Sequence, residues 1–147
     1  MIELNHEVII HSDPEKVWKV LADLESVQFY NHTVAKARYI SPNREGIGAS
    51  RECDVIPKGK VKERVTGWIP GKSMTVELYE SDWPVRNMHW TTDLHSLNGR
   101  TKITQQLRYE PKGLLGAILN VLILKRIMNR NIAGVFVRLK KYVEEIP

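Results

Sequence analysis

Apolar positions recur along this chain with two different periods, and each period predicts a different element. Ile2, Leu4, His6, Val8 and Ile10 recur at every second position, with Glu3, Asn5 and Glu7 between the first four, the two-residue rhythm of a strand with one buried face, so His6 is expected to point inward. The next stretch, "SDPEKVWKVLADLE", changes period. Ser12 or Asp13 can cap a helix whose first turn accepts Pro14, and Val17, Leu21 and Leu24 then recur at helical spacing with Trp18 beside them. A short second helix is expected through "ESVQFYN". From Val34 to Tyr109 the chain returns to alternating segments broken by "SPNREG", "PKG", "PG", "SDWP" and "NG", which predicts six strands of an antiparallel meander. The last element runs from about Leu114 to Glu145 as one long amphipathic helix. Its seam is Leu124, Met128, Ile132, Val135, Leu139 and Tyr142, with Arg126, Arg130, Arg138, Lys140 and Lys141 on other faces. The N-terminal third of that helix, "LLGAILNVLILK", is apolar nearly all round, more than docking on one sheet face requires.

Two turns set strand registers. Asn98-Gly99 suits a type I′ hairpin, because both residues tolerate positive φ. Pairing Leu97 with Arg100 places Leu94 opposite Ile103, Thr92 opposite Gln105, Trp90 opposite Leu107 and Met88 opposite Tyr109 on an inner face. His95 with Lys102, Asp93 with Thr104 and His89 with Arg108 fall on a polar outer face. At Pro70-Gly71, proline suits a type II turn better than a primed one. Pairing Ile69 with Lys72 sets Val65 against Val76 and Glu63 against Leu78 inside, and Arg64 beside Glu77 outside. The "PKG" turn then sends Arg51, Cys53 and Val55 inward, since the opposite choice would bury Glu52 and Asp54 together.

Composition narrows the class. A chain of 147 residues, 42% hydrophobic and 27% charged, fits one globular domain over residues 1–147. Its one cysteine, Cys53, allows no internal disulfide, and the start lacks a basic-then-apolar leader, so a reducing cytoplasm is expected. Twenty-two Lys plus Arg against 17 Asp plus Glu give a net charge of +5. That surplus favours anionic partners only mildly. The run from Leu114 reaches Lys125 far short of the ~20 apolar residues that a membrane-crossing helix needs. A helix lying on a membrane surface is compatible with apolar residues beside "KRIMNR".

The order strand, two short helices, six-stranded meander and long closing helix resembles the helix-grip fold of the START-like, or SRPBCC, superfamily. The residues that carry the likeness are "IIHSDPEKVWKVLADLESVQFY", "GIGASRECDV" and "YEPKGLLGAILNVLILKRIMNRNIAGVFVRLKKYVEE". The last is similar to the closing helix of the polyketide cyclase/dehydrase-type branch, and the superfamily also contains coenzyme Q-binding proteins. The resemblance implies an α+β fold in which a curved antiparallel sheet of about seven strands wraps a long C-terminal helix, enclosing an apolar cavity. On that reading Leu115, Ile118, Leu119 and Leu122 line the cavity or its mouth with Met74, Val76, Leu78, Met88, Trp90 and Leu107, Leu114 joining them. The competing reading is that these side chains fill a solid core.

Catalysis would need polar groups aimed into that space. Inward parity nominates His6, Arg51, Glu63, Thr92 and Gln105, with Tyr30 at the entrance and Tyr109 at the strand end. Desolvation would favour protonated Glu63 and tune it as a general acid or base, whereas Arg51 would hold it ionised as a buried pair. His6 reads as a hydrogen-bonded core residue or a catalyst. Thr92 and Gln105 can orient a guest's carbonyl or hydroxyl, or bond each other. The histidines and Cys53 lack metal-ligand spacing, no Gly-rich loop opens a helix, and the basic residues are dispersed, so neither metal, cofactor nor nucleic acid is expected. Three functions follow: a carrier or sensor of a lipid, isoprenoid, quinone or polyketide-like molecule; a cyclase/dehydratase using Glu63, His6 and Arg51; or a peripheral membrane or partner-docking protein using Leu114 to Arg130. A monomer and a homodimer both remain open.

Overall fold

The computed structural model describes residues 1–147 apart from the side chain of Val121. Seven strands form one antiparallel sheet: β1 (Ile2–Ile10), β2 (Val34–Tyr39), β3 (Ser50–Val55), β4 (Lys60–Ile69), β5 (Ser73–Glu80), β6 (Val85–Leu97) and β7 (Arg100–Pro111). Their order is β1-β7-β6-β5-β4-β3-β2, so the six-strand meander is complete and β1 closes it by pairing with β7. Helices α1 (Pro14–Ala22) and α2 (Val27–Tyr30), separated by a 3₁₀ turn at Leu24–Ser26, carry the chain from one edge of the sheet to the other. Asp13 caps α1 by accepting from the Lys16 amide at 2.9 Å, and Pro14 occupies the first turn, where a missing N–H costs nothing. Trp18 meets Trp68 edge to face at 5.1 Å, tying α1 to β4.

The Asn98-Gly99 register holds from Leu97↔Arg100 through His89↔Arg108. It fails at the expected Met88–Tyr109 pair, because a bulge with Asn87 at φ 53° shifts the ladder before Arg86↔Glu110. At Pro70-Gly71 the outcome is subtler. The Ile69 carbonyl accepts from the Lys72 amide at 2.9 Å and Gly71 has φ 75°, the type II geometry that Pro-Gly favours. Strand pairing begins one residue later than expected, at Ile69↔Ser73, and a bulge between Val65 and Gly67 restores Val65↔Val76, Arg64↔Glu77 and Glu63↔Leu78.

The closing segment is not one uninterrupted α-helix. It consists of α3 (Gly113–Leu119), a π turn at Asn120–Leu124 and α4 (Lys125–Glu145). The π turn begins at buried Asn120, whose side-chain carbonyl accepts from the Tyr109 hydroxyl, anchoring the irregularity to β7. The far end of α4 is fixed to β1: Lys140 Nζ donates to the Ile9 carbonyl at 3.0 Å and the His11 amide donates to Glu144 at 2.7 Å. Phe136, Leu139 and Val143 pack there against the sheet, while the other end of the segment stands off it.

Candidate functional site

Where the closing segment leaves the sheet, a cavity of about 210 Å³ lies between them. Met74 and Val76 of β5, Met88, Trp90 and Thr92 of β6, and Gln105 and Leu107 of β7 form its sheet wall, as inward parity expects. Met128, Asn131, Ile132, Val135, Phe136 and Leu139 of α4 form the opposite wall, and Leu21, Val27 and Tyr30 close one end. Alternation in the strands and three-or-four-residue spacing in α4 aim all these side chains at one volume. The lining is mostly apolar, with a few polar groups placed at defined points.

The principal polar group is an ion pair. Arg51 and Glu63 sit opposite each other on β3 and β4, and Arg51 Nε donates to Glu63 Oε1 at 2.7 Å with the two side chains 9% and 12% exposed. Arg51 Nη1 also donates to the Leu24 carbonyl at 3.0 Å, joining the pair to the 3₁₀ turn. Burial works against the guanidinium charge, yet Glu63, with Cys53 and Tyr30 nearby, holds the Arg51 pKa above the ordinary arginine value. Cys53 lies 3.7 Å from Glu63 Oε1; burial, reinforced by that carboxylate, pushes its thiol up to about 12. Cys53 is therefore an inert neutral thiol at neutral pH. Burial also raises the Tyr30 phenol, which stays protonated and able to donate.

Thr92 and Gln105 face each other across the hairpin, and Gln105 Nε2 donates to Thr92 Oγ1 at 3.2 Å. The amide has a second N–H and its carbonyl remains an acceptor, so the pair can still address a guest. His6 lies outside the lining. Its ring stands edge-on to Phe136 at 6.1 Å between centroids, so Phe136 separates it from the cavity. Its Nδ1 is buried without a partner among the described residues, and burial lowers its pKa although the neighbouring Asn129 opposes this.

Other expected positions also fall elsewhere. Leu78 is buried in the core beside Glu63 but does not line the cavity. Leu115, Ile118 and Leu122 are exposed and Leu119 is half-buried; none reaches the lining, because α3 stands beyond the sheet wall. Tyr109 is buried and committed to Asn120. Conversely, Trp83 lines the cavity from the β5–β6 connection while remaining 40% exposed, which puts it at the mouth. Within "SDWP" it carries only a turn signal, so its role was not legible. Asn131 was not nominated either, although its place three residues after Met128 and four before Val135 puts it beside the seam.

No cluster of potential metal ligands occurs among the described residues. No described helix is long and apolar enough to cross a membrane.

The Zhui aromatase/cyclase of Streptomyces sp. R1128 superposes with a TM-score of 0.83 at 17% identity, covering 97% of this chain and 93% of that one. A protein of Thermus thermophilus gives 0.79 at 21% identity over 97% of both chains. The Aha1 protein of Colwellia psychrerythraea, solved as a dimer, gives 0.74 at 16% identity over 99% of this chain and 98% of that one. Identities this low establish the helix-grip fold alone. No curated protein gives a match. The model of one family, polyketide cyclase / dehydrase and lipid transport, aligns with residues 1–144, and the chain belongs to that family.

Proposed function

We propose that the protein binds a small amphipathic molecule, with an apolar body in the cavity and a single polar end directed at Arg51, Glu63 and Tyr30. The observation that carries this reading is the combination of one mostly apolar hollow with one buried ion pair at its wall. A volume of 210 Å³ equals about seven waters of liquid, at about 30 Å³ each, and exceeds an engineered 150 Å³ apolar cavity that holds benzene. A one- or two-ring aromatic, or the head of a longer chain that leaves past Trp83, is the matching size. Arg51 retains N–H groups beyond those used on Glu63 and Leu24, so it can hold a carbonyl or carboxylate; Tyr30 supplies a further O–H.

Fluorescence titration with 2-naphthoate tests this. Saturable binding is expected, weakened about tenfold or more by Arg51→Met combined with Glu63→Leu, which removes the charge-assisted hydrogen bond without stranding a buried charge. No saturation, or equal binding by the variant, contradicts the reading.

A cyclase or dehydratase reading has one specific support: Glu63 receives its contacts on Oε1, leaving Oε2 without a partner among the described residues on the cavity wall. A carboxylate placed there can take a proton from a carbon next to a guest's carbonyl. Glu63→Gln keeps the shape and removes the base. Under this reading the variant binds polyketone-like substrates but loses turnover; under the carrier reading neither form shows turnover.

A further inference from the structure

The cavity leaves one large feature without a role. Leu114, Leu115 and Leu122 are 80%, 71% and 66% exposed, and Ile118, Ile123 and Ile127 are exposed beside them. Leu114, Ile118 and Leu122 follow one another at four-residue steps, so they make a continuous ridge along α3 and into the π turn. Soluble surfaces seldom gather so many large apolar side chains unless something covers them.

Charge identifies the occupant. From Lys112 to Val143 the chain carries Lys112, Lys125, Arg126, Arg130, Arg138, Lys140 and Lys141, and no Asp or Glu. Lys112, Lys125, Arg126 and Arg130 are exposed and enter no ion pair among the described residues, although most acidic side chains elsewhere are paired. A second copy related by a two-fold axis would press this cationic rim against itself. A sheet of anionic headgroups over acyl chains complements both the rim and the ridge.

We propose that this face docks on an anionic phospholipid bilayer, with the Leu114, Ile118 and Leu122 ridge at the boundary between headgroups and acyl chains. Lys112, Lys125, Arg126 and Arg130 contact the phosphates. The docked face borders the cavity mouth: the Lys112 amide donates to the Pro84 carbonyl at 2.9 Å, and Gly116 lies flat on the same carbonyl, one residue from Trp83. A Cβ at Gly116 would come within 3.0 Å of that oxygen, so the close approach of α3 to the mouth depends on glycine. An oily molecule can then pass between the acyl layer and the region of Trp83 without crossing bulk water. Docking goes beyond the cavity reading and does not depend on it, because it needs only the outer face.

Sedimentation with phosphatidylglycerol-rich vesicles, against phosphatidylcholine vesicles alone, is the test. The protein pellets with the anionic vesicles, and each of the four exposed basic residues changes the partition by about fivefold. Lys125→Gln with Arg126→Gln lowers it by about twenty-fivefold, and rising salt does the same. Leu115→Asp with Leu122→Asp abolishes pelleting while far-UV circular dichroism stays native; both sites are exposed, so the fold does not depend on them. Equal pelleting by both variants, no preference for anionic vesicles, or a wild-type dimer that the Asp variant splits and vesicles do not, overturns the proposal. The last result assigns the face to a second copy. Because naphthoate binding is measured without vesicles, either reading can fail while the other stands.

Discussion

Breaking the Arg51–Glu63 pair from one side should unfold the protein far more readily than removing both partners. Arg51→Met removes the only cation bonded to Glu63 among the described residues, leaving a carboxylate in a site where its side chain is 12% exposed. Removing one partner of a buried pair costs about 3–5 kcal/mol. The same substitution frees the Leu24 carbonyl, for about 1 kcal/mol more. Adding Glu63→Leu to Arg51→Met cancels the first term but not the second, so the double variant should lie only about 1–2 kcal/mol below wild type. Glu63→Leu alone strands the guanidinium, which keeps Leu24 and Tyr30 nearby, and falls between these values. Urea unfolding of the four proteins at neutral pH measures the cycle, read as midpoints at constant slope. Single losses that add to within about 0.5 kcal/mol would mean that the two side chains do not interact, and the polar end of the cavity would lose its physical basis.

Two further outcomes follow from local geometry. Gly116→Val forces the Pro84 carbonyl and α3 apart, because the added Cβ starts 3.0 Å from that oxygen; stopped-flow mixing should show naphthoate entering and leaving faster than in wild type, and unchanged rates would remove the mouth from this region. Burial lowers the His6 pKa below its ordinary value, so the unfolded chain binds its proton first as pH falls. The stability tied to neutral His6 is thus complete above the unfolded histidine pKa of about 6.5 and is lost as pH falls below it towards the folded value. His6→Leu should flatten the fall in urea midpoint between about pH 7 and 5, and an unchanged slope would place the titration elsewhere.

The parts of the fold that were legible in the sequence are those where local chemistry and burial agree. Asn98-Gly99 permits few backbone solutions, so one turn predicts nine consecutive pairings down to His89↔Arg108. The prediction stops at Asn87, a positive-φ residue that is not glycine and therefore carries no strong signal. Near Pro70-Gly71 the turn type was readable but the bulge after Val65 was not; the inner face came out right because the extra residue offsets the later start of pairing. The inward set of the sheet was legible for the same reason as the polar cluster: alternation turns Glu63 inward once Val65 and Val76 are buried, and the alternative face for Arg51 would bury Glu52 and Asp54 together. The closing segment was harder. A run apolar on every side, such as Leu114 to Leu124, specifies no direction, and the π turn at Asn120–Leu124 is set by a contact with Tyr109 that no periodicity reveals. Hence Leu115, Ile118 and Leu122 were expected at the cavity and stand outside it.

Methyl-resolved NMR under xenon pressure tests the hollow most directly, because xenon enters dry apolar cavities without needing a polar anchor. The account predicts saturable shifts confined to methyls that line the space, including Met74, Val76, Leu107 and Ile132, with Val17 and Val143, buried elsewhere in the core, unmoved. Shifts that are absent, or that grow linearly at exposed methyls alone, would show a solid interior and contradict it.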